Sequence, residues 1–390
     1  MKIFFRKIHL YLALACGIII AITCLTGAIL VFEKDLQQTF YSQRYFVNPV
    51  EKTVATDLLI ENALDEVPGS TLRGIKIYND PARSAEINIS QKSGDEETRL
   101  TVFMNPYNGQ VLETYNHRES FFYFVMDVHR WMLGGATGKL IVGISTLVFL
   151  FILITGMVLW WPRNKTILLQ RLKIKTDASF KRLNHDFHIA LGFYSAIFLF
   201  VFAFTGLAWS FEWFNDAIYK VTGTKNEKPP KLANLSDSTM ANAPFETYLF
   251  NLQTQAPKAV YYAINAPSGN EPVSASFLPH NALHETATTQ VNMDSKTGEV
   301  LNVRSFQDRN LGQQVRATFK PVHIASIWGP WSKWIGFITC LLGFLFPVSG
   351  YIMWYHRAFK KKKKTLKKGL SGMPVMAPVA VPQMQNEKAS

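Results

Sequence analysis

Cysteine is scarce in this 390-residue chain. Its three copies, Cys16, Cys24 and Cys340, all lie inside apolar runs. That excludes a disulfide-stapled secreted module and leaves no Cys-based zinc site. Charge is scarce too: Asp, Glu, Lys and Arg make up 18% of the residues, against about 25% in ordinary soluble domains. With 48% hydrophobic and 13% aromatic residues, the chain is neither a disordered polymer nor a collagen.

What it has in abundance is long apolar runs. Four of them cover roughly 8–32, 138–162, 189–212 and 334–356. Each offers about 20 or more apolar positions, enough to cross a ~30 Å hydrocarbon core at 1.5 Å per residue. The expected fold class is therefore membrane α-helical. Four transmembrane helices (1–33, 138–162, 189–212 and 334–357) alternate with two long polar stretches, 34–137 and 213–333, and a short loop, 163–188. The first run is too long for a signal peptide and shows no small-residue cleavage site. Residues 358–390 form a lysine-rich tail that ends in an expected disordered segment.

Basic residues set the orientation. The N-terminus, the short loop and the tail carry 19 of the 41 Lys and Arg but only 3 of the 28 acids, Asp177, Asp186 and Glu387. By the positive-inside rule both ends face the cytoplasm and the two long stretches face the other side. The net charge of +13 is thus a topology signal rather than a nucleic-acid footprint, and the tail is expected to lie on anionic lipid.

The chain also resembles itself. His9, Thr26-Gly27 and Phe32-Glu33 recur as His188, Thr205-Gly206 and Phe211-Glu212, at a constant offset of 179. His129, Gly135, Lys139, Gly156, Trp160 and Arg163 recur as His323, Gly329, Lys333, Gly350, Trp354 and Arg357, at an offset of 194. Met104-Asn105 and Gly109 to Leu112 match Met293-Asp294 and Gly298 to Leu301, at 189. This predicts two helix–domain–helix units related by a parallel repeat about the membrane normal. Each long stretch reads as a small α+β domain. The first has a helical span at Ala55 to Val67, strands at Gly74–Tyr78, Ala85–Ser90 and Leu100–Asn105, and a turn at Pro106 to Gly109.

Of nine histidines, only His9/His188 and His129/His323 are duplicated. Ionisable side chains at membrane spans are costly and usually functional. The first pair falls at the cytoplasmic helix ends, the second just outside the opposite ends, so most of the ~30 Å core separates them. Neutral imidazoles from facing helices are standard axial ligands for haem iron. The expected sites are thus His9 with His188 and His129 with His323, each pair placed to hold a haem iron. Gly17, Gly27, Gly143, Gly156, Gly192, Gly206, Gly343 and Gly350 would permit close approach; interfacial anchoring and plain helix packing are the bland alternatives. His185 forms a His-x-x-His spacing with His188 and is a further candidate contact. His280 and His284 lack the partners of a zinc site. The tryptophans fall in two interfacial belts, and Glu33 and Glu212 recur at helix ends.

Arg6-Lys7-Ile8-His9 with Leu25-Thr26-Gly27-Ala28, His185-Asp186-Phe187-His188 with Phe204-Thr205-Gly206, and Thr155-Gly156 with Trp160 to Arg163 together resemble the PepSY-associated transmembrane helix family. The long stretches resemble PepSY domains. The resemblance implies a bacterial inner-membrane protein with periplasmic PepSY domains, often iron-regulated, and in some members a ferric-siderophore reductase with two b-type haems. The short loop holds no Gly-x-Gly-x-x-Gly stretch and is too small for a nucleotide domain. Electrons would therefore come from quinol or a cytoplasmic reductase and pass to a ferric siderophore. Two rival classes are an iron or siderophore permease component, and a PepSY-based envelope regulator. Few charges lie deep in the helices, which disfavours a polar transport path, and plain anchors need no duplicated histidines.

Overall fold

In a computed structural model, which describes residues 1–94, 96–227 and 232–370, the chain runs as follows. Helix α1 (Lys2–Val31) leads through α2 (Glu33–Phe40) and α3 (Ser42–Tyr45) to α4 (Thr56–Glu66). The strands β1 (Ser70–Tyr78), β2 (Ala85–Ser93), β3 (Glu96–Met104) and β4 (Val111–Asn116) come next. Then follow α5 (Phe121–Trp131), α6 (Gly135–Trp160), α7 (Lys165–Arg171), α8 (Phe180–Ser210) and α9 (Glu212–Val221). After α10 (Phe245–Gln255) come β5 (Tyr261–Asn265), β6 (Val273–Leu278), β7 (Thr289–Met293) and β8 (Val300–Arg304), and α11 (Leu311–His323) and α12 (Pro330–Leu370) close the chain.

Among the described residues, four helices are long and apolar enough to cross a membrane: α1, α6, α8 and the Pro330–Phe359 part of α12. The chain is a multi-pass membrane protein. The expected spans are met, with two differences at their ends. α8 starts at Phe180, so His185 and His188 lie within a helix and not at the end of a loop. α12 continues as helix to Leu370, past the expected start of the tail; residues 371–390 lie outside the described residues. The N-terminus and the short loop share one end of the bundle, where Lys2 Nζ donates to Trp161 O at 3.1 Å.

The two long stretches were expected as separate domains. Instead they build one antiparallel sheet of eight strands, ordered β4-β3-β2-β1-β5-β6-β7-β8. β1 and β5 pair at its centre, where Ile75 lies opposite Ile264. Gly74 makes this seam possible, because a Cβ there would stand 2.6 Å from Ile264 O. Alternation along the strands sends one face under α4 and α10. Ile75, Ile87, Val102, Tyr262, Ile264 and Met293 meet Leu59, Ala63, Tyr248 and Leu252 there in a shared core. Full burial of each Val, Leu, Ile or Met side chain contributes roughly 1.5–3 kcal/mol, and the core runs without a break across both stretches. The opposite face carries Lys76, Tyr78 and Glu86 and lies toward the bundle, with Lys34 of α2 and Lys320 of α11 in electrostatic range of Lys76.

Candidate functional site

The four duplicated histidines share one local geometry. His9 Nδ1 lies 3.1 Å from Ile152 O and 3.0 Å from Thr155 Oγ1 of α6. His129 Nδ1 lies 3.0 Å from Thr23 O and 3.1 Å from Thr26 Oγ1 of α1. His323 Nδ1 lies 2.9 Å from Phe202 O and 3.2 Å from Thr205 Oγ1 of α8. His188 Nδ1 lies 2.5 Å from Ser349 Oγ of α12.

The carbonyl contacts fix the tautomer at three of the four rings. Each of the four hydroxyls gives its single proton to a carbonyl of its own helix: Thr155 to Phe151, Thr26 to Ile22, Thr205 to Val201 and Ser349 to Phe346. At His9, His129 and His323 the carbonyl can only accept, so Nδ1 carries the hydrogen and Nε2 keeps its lone pair; at His188 the Ser349 hydroxyl is the partner of Nδ1. Among the described residues no hydrogen bond reaches any of the four Nε2 atoms. An imidazole held by Nδ1–H on a carbonyl, with Nε2 free, is arranged as a metal ligand with its outer partner in place.

A glycine follows each of these hydroxyl residues, and the ring lies on it. A Cβ at Gly156 would stand 3.3 Å from His9 Cε1, at Gly27 3.2 Å from His129 Cε1, at Gly206 3.0 Å from His323 Cε1, and at Gly350 3.8 Å from His188 Cε1. Other expected close-approach glycines serve helix contacts: Gly17 meets Tyr351, Gly143 meets Phe211 and Gly343 meets Cys24. A Cβ on Gly192 would meet nothing within 4 Å.

His129 and His323 stand ring to ring, with centroids 6.2 Å apart and planes at 60°. With imidazole–metal bonds of about 2 Å on each side, that gap suits one metal atom between two rings. His9 and His188 lie within Coulombic range of each other at the opposite end of the bundle. On α1, His9 is 14 residues from Thr23, or about 21 Å along the axis at 1.5 Å per residue; His188 and Phe202 have the same separation on α8. The structure therefore brings together the two expected pairs, one toward each end of the membrane span.

Two features of the site were not foreseen. His129 and His323 belong to their own short helices, which fold back beside α1 and α8 instead of ending at the membrane surface. Ser120 caps α5 by accepting from Tyr123 N at 3.0 Å, and Asn310 caps α11 by accepting from Gln313 N at 3.0 Å. The turns that follow them use left-handed backbone at Met132 (φ 46), Leu133 (φ 59) and Ala325 (φ 54), a conformation that costs non-glycine residues of order 1 kcal/mol or more. The second unforeseen feature is the hydroxyl partner of each ring. Its signal was in the sequence as the recurring Thr-Gly and Ser-Gly pairs.

The remaining candidates are arranged differently. His185 Nδ1 faces Asp186 Oδ1 at 3.3 Å, and Arg182 Nε donates to Asp186 Oδ2 at 2.7 Å; no hydroxyl–glycine pair cradles it. His284 Nδ1 contacts Thr286 Oγ1 at 2.9 Å and its ring packs on Phe306. Trp209 packs against His323 with centroids 5.2 Å apart, and Trp160 stacks on Phe193 at 3.7 Å. Glu33 accepts from Gln37 at 3.1 Å, and burial raises its carboxyl above the usual range against the pull of Lys320. Among the described residues no group of three or more His, Cys, Asp or Glu forms a metal cluster; the duplicated histidines face each other in pairs.

A sequence profile described as the PepSY-associated TM region matches residues 6–357. The chain belongs to that family. The match runs from α1 into α12 and takes in both halves of the sheet. No curated protein is significantly similar to the chain.

Proposed function

We propose that this PepSY-associated protein is a di-haem b-type reductase of the bacterial inner membrane. It passes electrons from quinol or a cytoplasmic reductase to a periplasmic ferric siderophore, and Fe(II) is released. The observation that supports this reading best is the fourfold recurrence of one ligand geometry: Nδ1–H held by a carbonyl or hydroxyl, Nε2 free, and a glycine in place of a side chain beside the ring.

In this reading His9 with His188, and His129 with His323, would hold the two haem groups through their imidazole nitrogens. Bound haem iron would supply one-electron redox chemistry, with a lower potential for two neutral imidazoles than for a Met/His pair. The rest is work of the chain's own residues. Ile152, Thr155, Thr23, Thr26, Phe202, Thr205 and Ser349 orient the rings and keep them neutral. The glycines leave a flat group room to lie against the helix, and the apolar bundle excludes water between the two pairs. The substrate ferric ion, once reduced, leaves because hard oxygen donors that suit Fe(III) hold Fe(II) less well.

The two halves are a direct repeat whose axis runs along the membrane normal, through the Ile75–Ile264 pair and between His129 and His323. Both termini are cytoplasmic, which places the basic segments inside and the sheet in the periplasm.

The test is a reduced-minus-oxidised visible spectrum of the purified protein with a pyridine haemochrome count. We expect a b-type spectrum with about two haems per chain, and loss of one each in His9→Ala and His129→Ala. A protein that stays colourless when expressed with ample haem overturns the proposal.

A further inference from the structure

The imidazole pairs and their cradles come in two copies, but the charged cluster above the sheet-side pair does not. Lys76 on β1 directs its ammonium between two tyrosine rings, 4.6 Å from the centroid of Tyr78 and 4.4 Å from that of Tyr261. Arg83 lies over the same Tyr78 ring at 4.1 Å. Lys320 is one turn before His323 on α11, and Lys34 opens α2 just beyond the end of α1; both are exposed and in electrostatic range of Lys76.

Against these four cations stands one near carboxylate. Glu86 is 3.9 Å from both Lys76 and Arg83 and already accepts the Tyr78 hydroxyl at 2.6 Å. Among the described residues no other carboxylate lies within 4 Å of any of the four; Glu33 and Glu285 are farther off. Arg83 Nε is buried without a hydrogen-bond partner among the described residues. Burial lowers the proton affinity of Lys76; Glu86 opposes this, and Lys34, Arg83 and Lys320 each add a smaller lowering. The cluster is thus short of negative charge.

It also breaks the internal symmetry. At the corresponding positions of the other half, Lys76 is replaced by Asn265, Lys34 by Trp213 and Lys320 by Met126. A duplicated feature suits a group that is bound twice. A feature present in one half only suits a molecule that is bound once.

We propose that Lys34, Lys76, Arg83 and Lys320 form a docking site for one net-anionic, oxygen-donor ferric chelate, between the open face of the sheet and the His129–His323 pair. This rests on the reductase reading and narrows its substrate to the anionic class. The cations offer charge-assisted hydrogen bonds to the chelate's oxygens, and Tyr78 and Tyr261 supply flat surface for its ligand arms.

Gallium(III) chelates test the site without any electron transfer, because Ga(III) is not reduced under the conditions that reduce Fe(III). Calorimetric titration of the full chain in detergent would compare trianionic gallium tris-catecholate with neutral gallium tris-acetohydroxamate. We expect the anionic probe to bind at least about tenfold more tightly at low salt, with the preference shrinking as salt rises. Lys76→Gln and Lys320→Gln should each lose about tenfold for the anionic probe only, while Lys76→Arg retains it. If Lys76→Gln fails to fold, the exposed Lys34→Gln and Lys320→Gln carry the comparison. Equal affinity for the two probes, or wild-type affinity in these variants, overturns the inference. Haem content, counted on the same samples, is a separate readout: a chain that binds haem but shows no anion preference sinks the docking site alone, and a chain without haem sinks the reductase reading whatever the gallium data show.

Discussion

Asp57 and Glu246 cap each other's helices. Asp57, in the first turn of α4, accepts from Phe245 N at 3.0 Å and Glu246 N at 3.1 Å at the start of α10. Glu246, in the first turn of α10, accepts from Thr56 N at 2.9 Å at the start of α4. The two residues stand 189 positions apart, the offset that also relates Ile75 to its partner Ile264 on the strands beneath. Each carboxylate satisfies orphan N–H groups of the helix contributed by the other stretch, and each lies at the positive end of a helix dipole.

The seam between the two stretches is therefore held by reciprocal capping as well as by strand pairing. Asp57→Ala and Glu246→Ala should each cost about 1 kcal/mol. The double variant should depart from additivity, since both act on one two-helix junction. Chemical denaturation followed by the tyrosine signal of the sheet would measure all three. Strictly additive and negligible costs would mean that the junction is held by the apolar core alone.

The glycine beside each ring gives a site-specific prediction. At Gly206 a Cβ would lie 3.0 Å from His323 Cε1, so Gly206→Val must displace that ring from the position it shares with His129. We expect this variant to keep about one haem of two, losing the sheet-side site and retaining the His9–His188 site. Gly192→Ala, where a Cβ meets nothing within 4 Å, is the matched control and should keep both. Haem counts and low-temperature difference spectra separate these outcomes.

Thr26→Val removes one hydrogen-bond acceptor from His129 Nδ1 but leaves Thr23 O at 3.0 Å. The ring keeps its tautomer and the haem is expected to stay. Losing part of its outer partner makes the imidazole a weaker electron donor, so the midpoint potential of the sheet-side site should rise while that of the other site stays put. A potentiometric titration reads both in one experiment. An unchanged potential would show that the carbonyl alone tunes the ring.

The four spans and the duplicated histidines were legible because both are local or periodic signals. Twenty apolar residues in a row have few alternatives, and His9 with Thr26-Gly27 reads the same as His188 with Thr205-Gly206. The union of the two long stretches in one sheet was not legible. The pairing of Ile75 with Ile264 joins strands nearly half a chain apart, and the alternation of β1 is equally satisfied at the edge of a small sheet or at the centre of a large one. The helices carrying His129 and His323 were missed for a related reason. Their apolar faces cover α1 and α8 over only three turns, too short a signal to stand apart from the spans that follow. The Thr and Ser partners were visible as residues, but which ring each would meet depends on how the helices pack.

Asp294 yields the pH dependence. It sits in the turn after β7, almost wholly buried at 1% exposure. It accepts from Leu235 N at 2.7 Å, Ser236 N at 3.0 Å, Ser236 Oγ at 2.9 Å and Lys296 N at 2.8 Å. Burial pushes its carboxyl up, but the hydrogen bonds from Lys296 and Ser236 outweigh that and hold it at about 2, below the unfolded value of about 3.9. A carboxyl lowered on folding contributes stability that is complete above the unfolded value and is lost as pH falls through the folded one. The segment at Leu235 and Ser236 should thus stay protected from amide exchange down to about pH 4 and open progressively toward pH 2. Asp294→Asn should remove that pH-dependent part and lower protection at neutral pH, because the amide gives up a charge-assisted acceptor. Protection factors at Leu235 and Ser236 that are flat across this range in the wild-type chain would show that Asp294 does not govern the turn.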